Sequence, residues 1–291
     1  MLAATDPTNP AFEGRSDCKE PLQFPFTSED FNRIRNLIHR VAGISLSPAK
    51  KGLVYSRLAR RLRVRRLQSF SEYLQLLESD DQSEREAFIN ALTTNMTSFF
   101  REAHHFPILS AHLGSLAPKQ QVSIWTCASS SGEEPYSIAM TVVEHYNSFA
   151  APVKILATDI DTKVLERART GVYPLDQLQK LSPNQLKRFF LRGEGENAGF
   201  AKVKPELQAM ITFKSLNLLH EKWAIHEKFD AIFCRNVMIY FDKKTQYTVL
   251  KNLSGYLRPN GLFFAGHSES FHHAVDLFRT CGKTVYALRN P

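Results

Sequence analysis

The sequence predicts an α/β protein: a doubly wound, mostly parallel sheet preceded by an all-helical domain and interrupted by a small antiparallel β-subdomain. Three observations predict it. From Val122 onward strand-like and helix-like runs alternate, the pattern of a parallel sheet with helices on both faces. From Thr27 to Leu92 the apolar residues recur only at helical spacing. Between the second and third strands lies an interruption at about 172–209, with a glycine cluster (Gly193, Gly195, Gly199) followed by the alternating run FAKVKPEL.

Composition narrows the function classes. At 291 residues the chain has room for about two domains. No run of about 18 apolar residues exists, so no transmembrane helix is expected. The first residues lack a basic-then-apolar signal pattern. Cys18, Cys127, Cys234 and Cys281 lie far apart without CxxC spacing, which predicts reduced thiols in a cytoplasmic protein. A net charge of +8 suits an acidic partner: nucleic acid, an anionic membrane surface or a carboxylate-rich protein.

Residues 1–25 are rich in Pro, Asn, Asp and Gly and read as a disordered tail. The first helix is capped at Thr27 or Ser28, presents Phe31, Ile34, Ile38 and Val41 on one face, and stops at Gly43. The second follows Pro48, with Val54, Leu58 and Leu62 at i, i+4 and i+8. Arg60 and Arg63 fall on its opposite side, with Arg57, Arg61 and Arg66 on the flanks. Ser69 with Glu72, and Ser83 with Glu86, open the third and fourth helices as capping boxes. Residues 26–92 therefore form one helical domain. The segment TTNMTSFFREAHHF (93–106) is too polar for a core helix and opens a linker over 93–120. Residues 121–291 carry the strands VSIWT, VKILATD, ITFKSLN, FDAIFCRN, GLFFAG and TVYALR.

The chemistry concentrates at Val122–Ser137. A strand breaks into the small residues Ala128–Ser131, reaches Gly132, and restarts as a helix at Glu133 with Pro135 in its first turn. Such a loop cradles a nucleotide-like ligand against open backbone N–H groups. One glycine stands where the dinucleotide fingerprint has three. Glu133 and Glu134 would repel a pyrophosphate and suit an ammonium or sulfonium group, which points to S-adenosyl-L-methionine rather than NAD or ATP. Asp159 ends the second strand, where an acid can accept hydrogen bonds from ribose hydroxyls. The alternative is that it caps the next helix, for which Asp161 is better placed. Asn217 ends the third strand, and Arg235 and Asn236 end the fourth. The pairs His104–His105 and His272–His273 are sequence neighbours without a metal-ligand spacing, so no metal site is expected.

The segments TTNMTSFFREAHHF, SSSGEEPYS, ATDID, FDAIFCRNVMIYFD and LRPNGLFFAGHSES, in that order, resemble the CheR family. These are chemotaxis protein-glutamate O-methyltransferases that use S-adenosyl-L-methionine and release S-adenosyl-L-homocysteine. The resemblance spans almost everything from Thr27 to the C-terminus. It implies a helical receptor-recognition domain and a Rossmann-like methyltransferase domain with an inserted β-subdomain. It implies that Asn95, Thr97 and Arg101 reach the cofactor, that Gly132 and Glu133 lie beneath its methionine part, and that Asp159 holds the ribose. Asn217 and Leu218 match the adenine side, Arg235 and Asn236 the surroundings of the reacting centre. Arg101 and Tyr240 match the pair that acts on the substrate.

A glutamate is already ionised at neutral pH, so its methylation needs alignment and drying rather than a strong base. Lys50 to Arg66 holds eight basic residues and no acid, a face suited to glutamate-rich helices of a chemoreceptor's cytoplasmic part. The inset around Arg192, Lys202 and Lys204 resembles the β-subdomain with which some members grip a receptor's C-terminal peptide by strand addition. A nucleic-acid methyltransferase is the alternative on the same fold. Against it, Arg235-Asn236-Val237-Met238 replaces an Asn-Pro-Pro-Tyr-like turn, Cys234 lies inside a strand, and no RNA-recognition module is seen. A non-enzymatic receptor-binding protein would not need Asp159, Glu133, Arg101 and Tyr240 together.

Overall fold

A computed structural model describes residues 23–79, 81–117 and 121–289. The expected tail lies outside the described residues up to residue 22, but packing starts before its boundary at 25. Phe24 is buried in the helical core, and its N–H donates to the Tyr55 hydroxyl at 3.3 Å.

Four helices build the first domain: α1 (Ser28–Ala42), α2 (Lys51–Arg65), α3 (Phe70–Glu78) and α4 (Gln82–Leu92). Thr27 and Asp30 close a reciprocal capping box at the start of α1, satisfying two of the free N–H groups there. Phe31, Ile34 and Ile38 share one buried core with Leu58 and Leu62 of α2, with Ala42 rather than Val41 completing the buried stripe. Helix α4 starts earlier than the Ser83 signal. Asp81 is its cap, accepting the Glu84 N–H at 3.0 Å, and Glu86 turns away to bond Thr162. Asp caps a helix as well as Ser, so Ser83 held no advantage over Asp81.

After α5 (His105–Ser115), the second domain runs β1 (Val122–Cys127), α6 (Glu133–Tyr146), β2 (Val153–Asp159), α7 (Thr162–Thr170), β3 (Val172–Pro174), α8 (Pro183–Phe189), β4 (Phe190–Arg192), β5 (Phe200–Val203), α9 (Pro205–Gln208), β6 (Ile211–Ser215), β7 (Phe229–Cys234), α10 (Lys243–Tyr256), β8 (Leu257–Ala265), β9 (Phe278–Gly282) and β10 (Val285–Leu288). The main sheet has the order β6-β2-β1-β7-β8-β10-β9. Its first five strands are parallel, and β10 runs antiparallel to both neighbours. Strand β9 had no signal in the sequence because it is an exposed edge carrying Arg279 and Thr280.

Alternation along β1 feeds two cores. Val122 and Ile124 face the α5–α6 layer, while Trp125 and Cys127 face the layer of α10. The chain leaves β1 for β2 on one side and later returns to β7 on the other, so the loops after β1 and β7 part and leave a crevice at their carboxyl ends. Strands β3, β5 and β4 form the separate antiparallel sheet, with Val172, Lys202 and Leu191 in register. This inset is more than an appendage: Tyr173 is fully buried and its hydroxyl donates to the Ser131 carbonyl at 2.6 Å.

Candidate active site

The loop after β1 turns tightly because three of its five residues, Ala128, Ser130 and Gly132, have positive φ. At Gly132 (φ +99°) a Cβ would stand 2.6 Å from the Tyr173 hydroxyl oxygen and 2.9 Å from the Ala168 Cβ, so only glycine fits. The Ser129 N–H donates to the Thr158 carbonyl (2.9 Å) and the Ser130 N–H to Asp159 Oδ2 (2.8 Å), which ties the loop to the tip of β2.

Asp159 is buried at that tip. Its other oxygen accepts the Asp161 N–H at 2.9 Å, so it is not the cap of α7. Asp161 is the cap, accepting the N–H groups of Lys163 and Val164. Burial pushes the Asp159 carboxyl up to about 6, against the pull of the backbone N–H groups of Asp161, Ser130 and Ile160. The second oxygen of Asp161 holds the linker, accepting from Asn95 Nδ2 and Thr93 Oγ1 at 2.7 Å each.

Across the crevice Arg235 ends β7 with its side chain almost fully buried between two carboxylates, Glu134 at 2.7 Å and Glu102 at 3.2 Å. It also donates to the Arg101 carbonyl. Glu102 further accepts from His267 Nδ1 (2.8 Å), the His267 N–H (3.2 Å) and Asn236 Nδ2 (3.2 Å). Burial pushes its carboxyl up, but these donors and the Arg235 charge outweigh it and hold Glu102 at about 2. Asn236 adopts φ +60°, and its N–H is received by Glu269 at 3.0 Å.

The helical domain roofs the crevice. Asn217 Nδ2 donates to the Val41 carbonyl (2.7 Å), the Ser45 N–H to the Tyr240 carbonyl (2.8 Å), and His39 pairs with Asp242 (2.9 Å). The enclosed cavity has a volume of about 390 Å³. Asn95, Thr97, Arg101, Asp159, Asn217, Leu218, Arg235, Asn236 and Tyr240 all line it, so nine positions scattered over the sequence converge on one space.

Gly132 and Glu133 do not line it. Gly132 lies behind the loop under Tyr173, and Glu133 is buried with its carboxylate taken by Ser131 Oγ at 2.8 and 3.0 Å. Glu134 faces the cavity instead. Neighbours on a helix point about 100° apart, so only one member of the acidic doublet can face the ligand. Glu134 also accepts from Thr126 Oγ1 at 2.6 Å. Glu102 was missed altogether and Asp161 was read only as the helix cap it also is: their roles at the site depend on partners more than 60 residues away, as in Asn95–Asp161 and Glu102–Arg235.

The basic helix divides into two sets. Arg57 donates to the carbonyls of Leu92 (3.1 Å) and Thr93 (2.7 Å), and Arg61 forks onto Glu84 at 2.6 and 2.9 Å. Glu84 is 1% exposed and also accepts the Tyr73 hydroxyl. Arg57 and Arg61 therefore brace α2 against α4 and its end, as does Arg65, which pairs with Asp81 and with Glu84 at 3.4 Å. Arg60, Arg63 and Arg66 stay exposed, Arg63 touching Gln23 at 2.9 Å. On the inset Arg192 and Lys202 are exposed, whereas Lys204 is half-buried and donates to the Lys187 carbonyl. His104 and His105 bond the Lys283 carbonyl. Among the described residues no cluster of His, Cys, Asp and Glu could hold a metal ion.

The donor set fits S-adenosyl-L-methionine. Asp159 offers acceptors for a ribose diol, Leu218, Ile44 and Leu46 give an apolar slot, and Glu134 presents a carboxylate that suits an ammonium or sulfonium group.

Residues 95–287 match the family described as CheR methyltransferase, SAM binding domain, and residues 29–93 its all-alpha domain. The chain belongs to the CheR methyltransferase family. It is 54% identical over 270 residues to the chemotaxis protein methyltransferase 2 of Pseudomonas aeruginosa, covering 91% of this chain and 95% of that protein. It is 50% identical over 267 residues to the chemotaxis protein methyltransferase of Klebsiella aerogenes (91% of each chain). With that of Escherichia coli it shares 50% over 259 residues (89% and 90%). The CheR SAM-binding match begins at Asn95, so it takes in the linker together with the sheet domain. Among the described residues no helix is long and apolar enough to cross a membrane.

Proposed function

We propose that this chain methylates glutamate side chains on the cytoplasmic helices of chemoreceptors, forming glutamate methyl esters in the cytoplasm. The observation that carries this reading is the meeting of Arg101 and Tyr240 with Asp159 around one cavity. When bound, S-adenosyl-L-methionine supplies an electrophilic methyl group on a sulfonium. Asp159 would accept the ribose hydroxyls, Leu218 would line the adenine side, and Glu134, held in place by Arg235 and Thr126, would hold the ammonium group. Arg101 spends one nitrogen on the Met96 carbonyl at 2.8 Å, which fixes its position and leaves the rest of its fork to take the incoming carboxylate. Tyr240 donates a further hydrogen bond to that carboxylate. No general base is required, because the acceptor arrives ionised. The roof from Gly43 to Leu46 excludes water, which favours a reaction that consumes opposite charges.

The exposed arginines Arg60, Arg63 and Arg66 steer a glutamate-rich receptor helix, with a salt-dependent on-rate. The inset carries Leu191 and Phe200 exposed beside Arg192 and Lys202 and keeps β4 as a free edge, features that support capture of a receptor's C-terminal peptide as an added strand. The test is methyl transfer by Arg101→Ala and Tyr240→Phe. Both should lose transfer while keeping a wild-type circular dichroism spectrum. Normal turnover in both would remove these residues from the chemistry.

A further inference from the structure

Two large apolar side chains stand exposed where the cavity opens. Met96 is 82% and Ile239 50% exposed, yet both line the cavity. Among the described residues no other exposed large hydrophobic side chain does so. Neither is displayed on a loose segment. The Met96 carbonyl is held by Arg101 at 2.8 Å, and its neighbour Asn95 is pinned to Asp161 at 2.7 Å. Ile239 sits in the short turn Met238–Tyr240, fixed at one end by Glu269 (2.8 Å to the Met238 N–H) and at the other by the Ser45 N–H (2.8 Å to the Tyr240 carbonyl). The two thus flank Arg101 and Tyr240, and the exposed cation Lys50 lines the same opening.

Single exposed apolar side chains need no explanation, but two that line one cavity, with polar residues around them, mark a surface that a partner covers. The chemistry requires a cover. Transfer to a carboxylate from a sulfonium cancels charge, so water left in the mouth slows it. Resting on the glutamate-methylation reading above, we propose that Met96 and Ile239 form an apolar collar. It seats the apolar neighbours of the target glutamate on a receptor helix and dries the mouth as that helix docks. Lys50, exposed just before α2, gives the collar the charge that suits an acidic helix. The collar makes the enzyme select glutamates set among apolar side chains over glutamates in wholly polar surroundings.

The test uses the full chain with a receptor cytoplasmic fragment and compares Met96→Ser, Ile239→Ser, the double variant and Met96→Leu. Each serine variant should raise KM for the fragment by about tenfold, the loss expected for one apolar contact of this size. Cofactor affinity by calorimetry and the thermal midpoint should stay at wild-type values, and Met96→Leu should behave as wild type. Unchanged KM and kcat in the double variant would overturn the collar. A parallel loss of cofactor affinity would also overturn it, by making these side chains part of the cofactor wall. A wild-type chain that methylates no receptor glutamate would instead sink the functional reading and the collar with it.

Discussion

Replacing Glu102 by glutamine removes one charge and leaves the shape of the side chain unchanged. The consequence can be worked from the structure. Glu102 is 9% exposed, pairs with the buried Arg235 at 3.2 Å and accepts from His267 and Asn236. Its carboxyl is held at about 2, against an ordinary value of about 4.3. The folded state therefore favours the ionised form by on the order of 3 kcal/mol. For a depressed acid that stability is complete above its unfolded value and is lost as pH falls toward its folded value. Glu102→Gln should thus cost about 3 kcal/mol at pH 7, and the difference from wild type should shrink to about half by pH 3. Urea unfolding followed by tryptophan fluorescence is the assay, because the two tryptophans, Trp125 and Trp223, both lie in the core against α10. A cost below about 0.5 kcal/mol, the ordinary range for a surface change, would refute the reasoning. So would a difference that does not vary with pH.

Three further outcomes are expected. Because burial holds Asp159 at about 6 and the ribose hydroxyls need its ionised form, cofactor affinity should fall about tenfold per pH unit below 6. Titration calorimetry between pH 5 and pH 8 checks this, and a flat profile would exclude Asp159 as the ribose acceptor. Gly132→Ala forces a Cβ to within 2.6 Å of the Tyr173 hydroxyl at positive φ and should destabilise the fold by at least about 2 kcal/mol, read from denaturant midpoints. Arg61→Ala should cost the helical domain about 2 kcal/mol by taking the forked partner from buried Glu84, which keeps only Arg65 and the Tyr73 hydroxyl, whereas Arg60→Glu should leave stability unchanged and weaken receptor binding most at low salt. Equal stability effects at the two positions would erase the division of the basic helix.

The alternation of strands and helices was legible because each strand is buried on its core face and each break falls at small or polar residues. The tips of the strands were legible for the same reason, since Asp159, Arg235 and Asn236 follow apolar runs that cannot explain them, whereas Asn217 falls two residues beyond β6, which ends at Ser215. What the sequence hid were facts of pairing. Arg57 and Arg61 looked solvent-facing because their partners lie on α4 and beyond it, 23 to 36 residues away. Glu134 was passed over for Glu133 because the direction in which a helix's first residue points depends on the loop before it, and three positive φ values set that direction. Glu102 carried no local signal at all: its partners Arg235 and His267 are 133 (235 − 102) and 165 residues further on. The edge strand β9 was hidden because nothing buries its outer residues.

The most direct measurement mixes the purified chain with radiolabelled-methyl S-adenosyl-L-methionine and receptor cytoplasmic fragments, then treats the product with base. The account predicts that label enters the receptor fragment, leaves as volatile methanol at alkaline pH, and fails to enter when Asp159→Ala or Arg101→Ala replaces the wild-type chain. Label that resists base, or that appears undiminished with both variants, would contradict it.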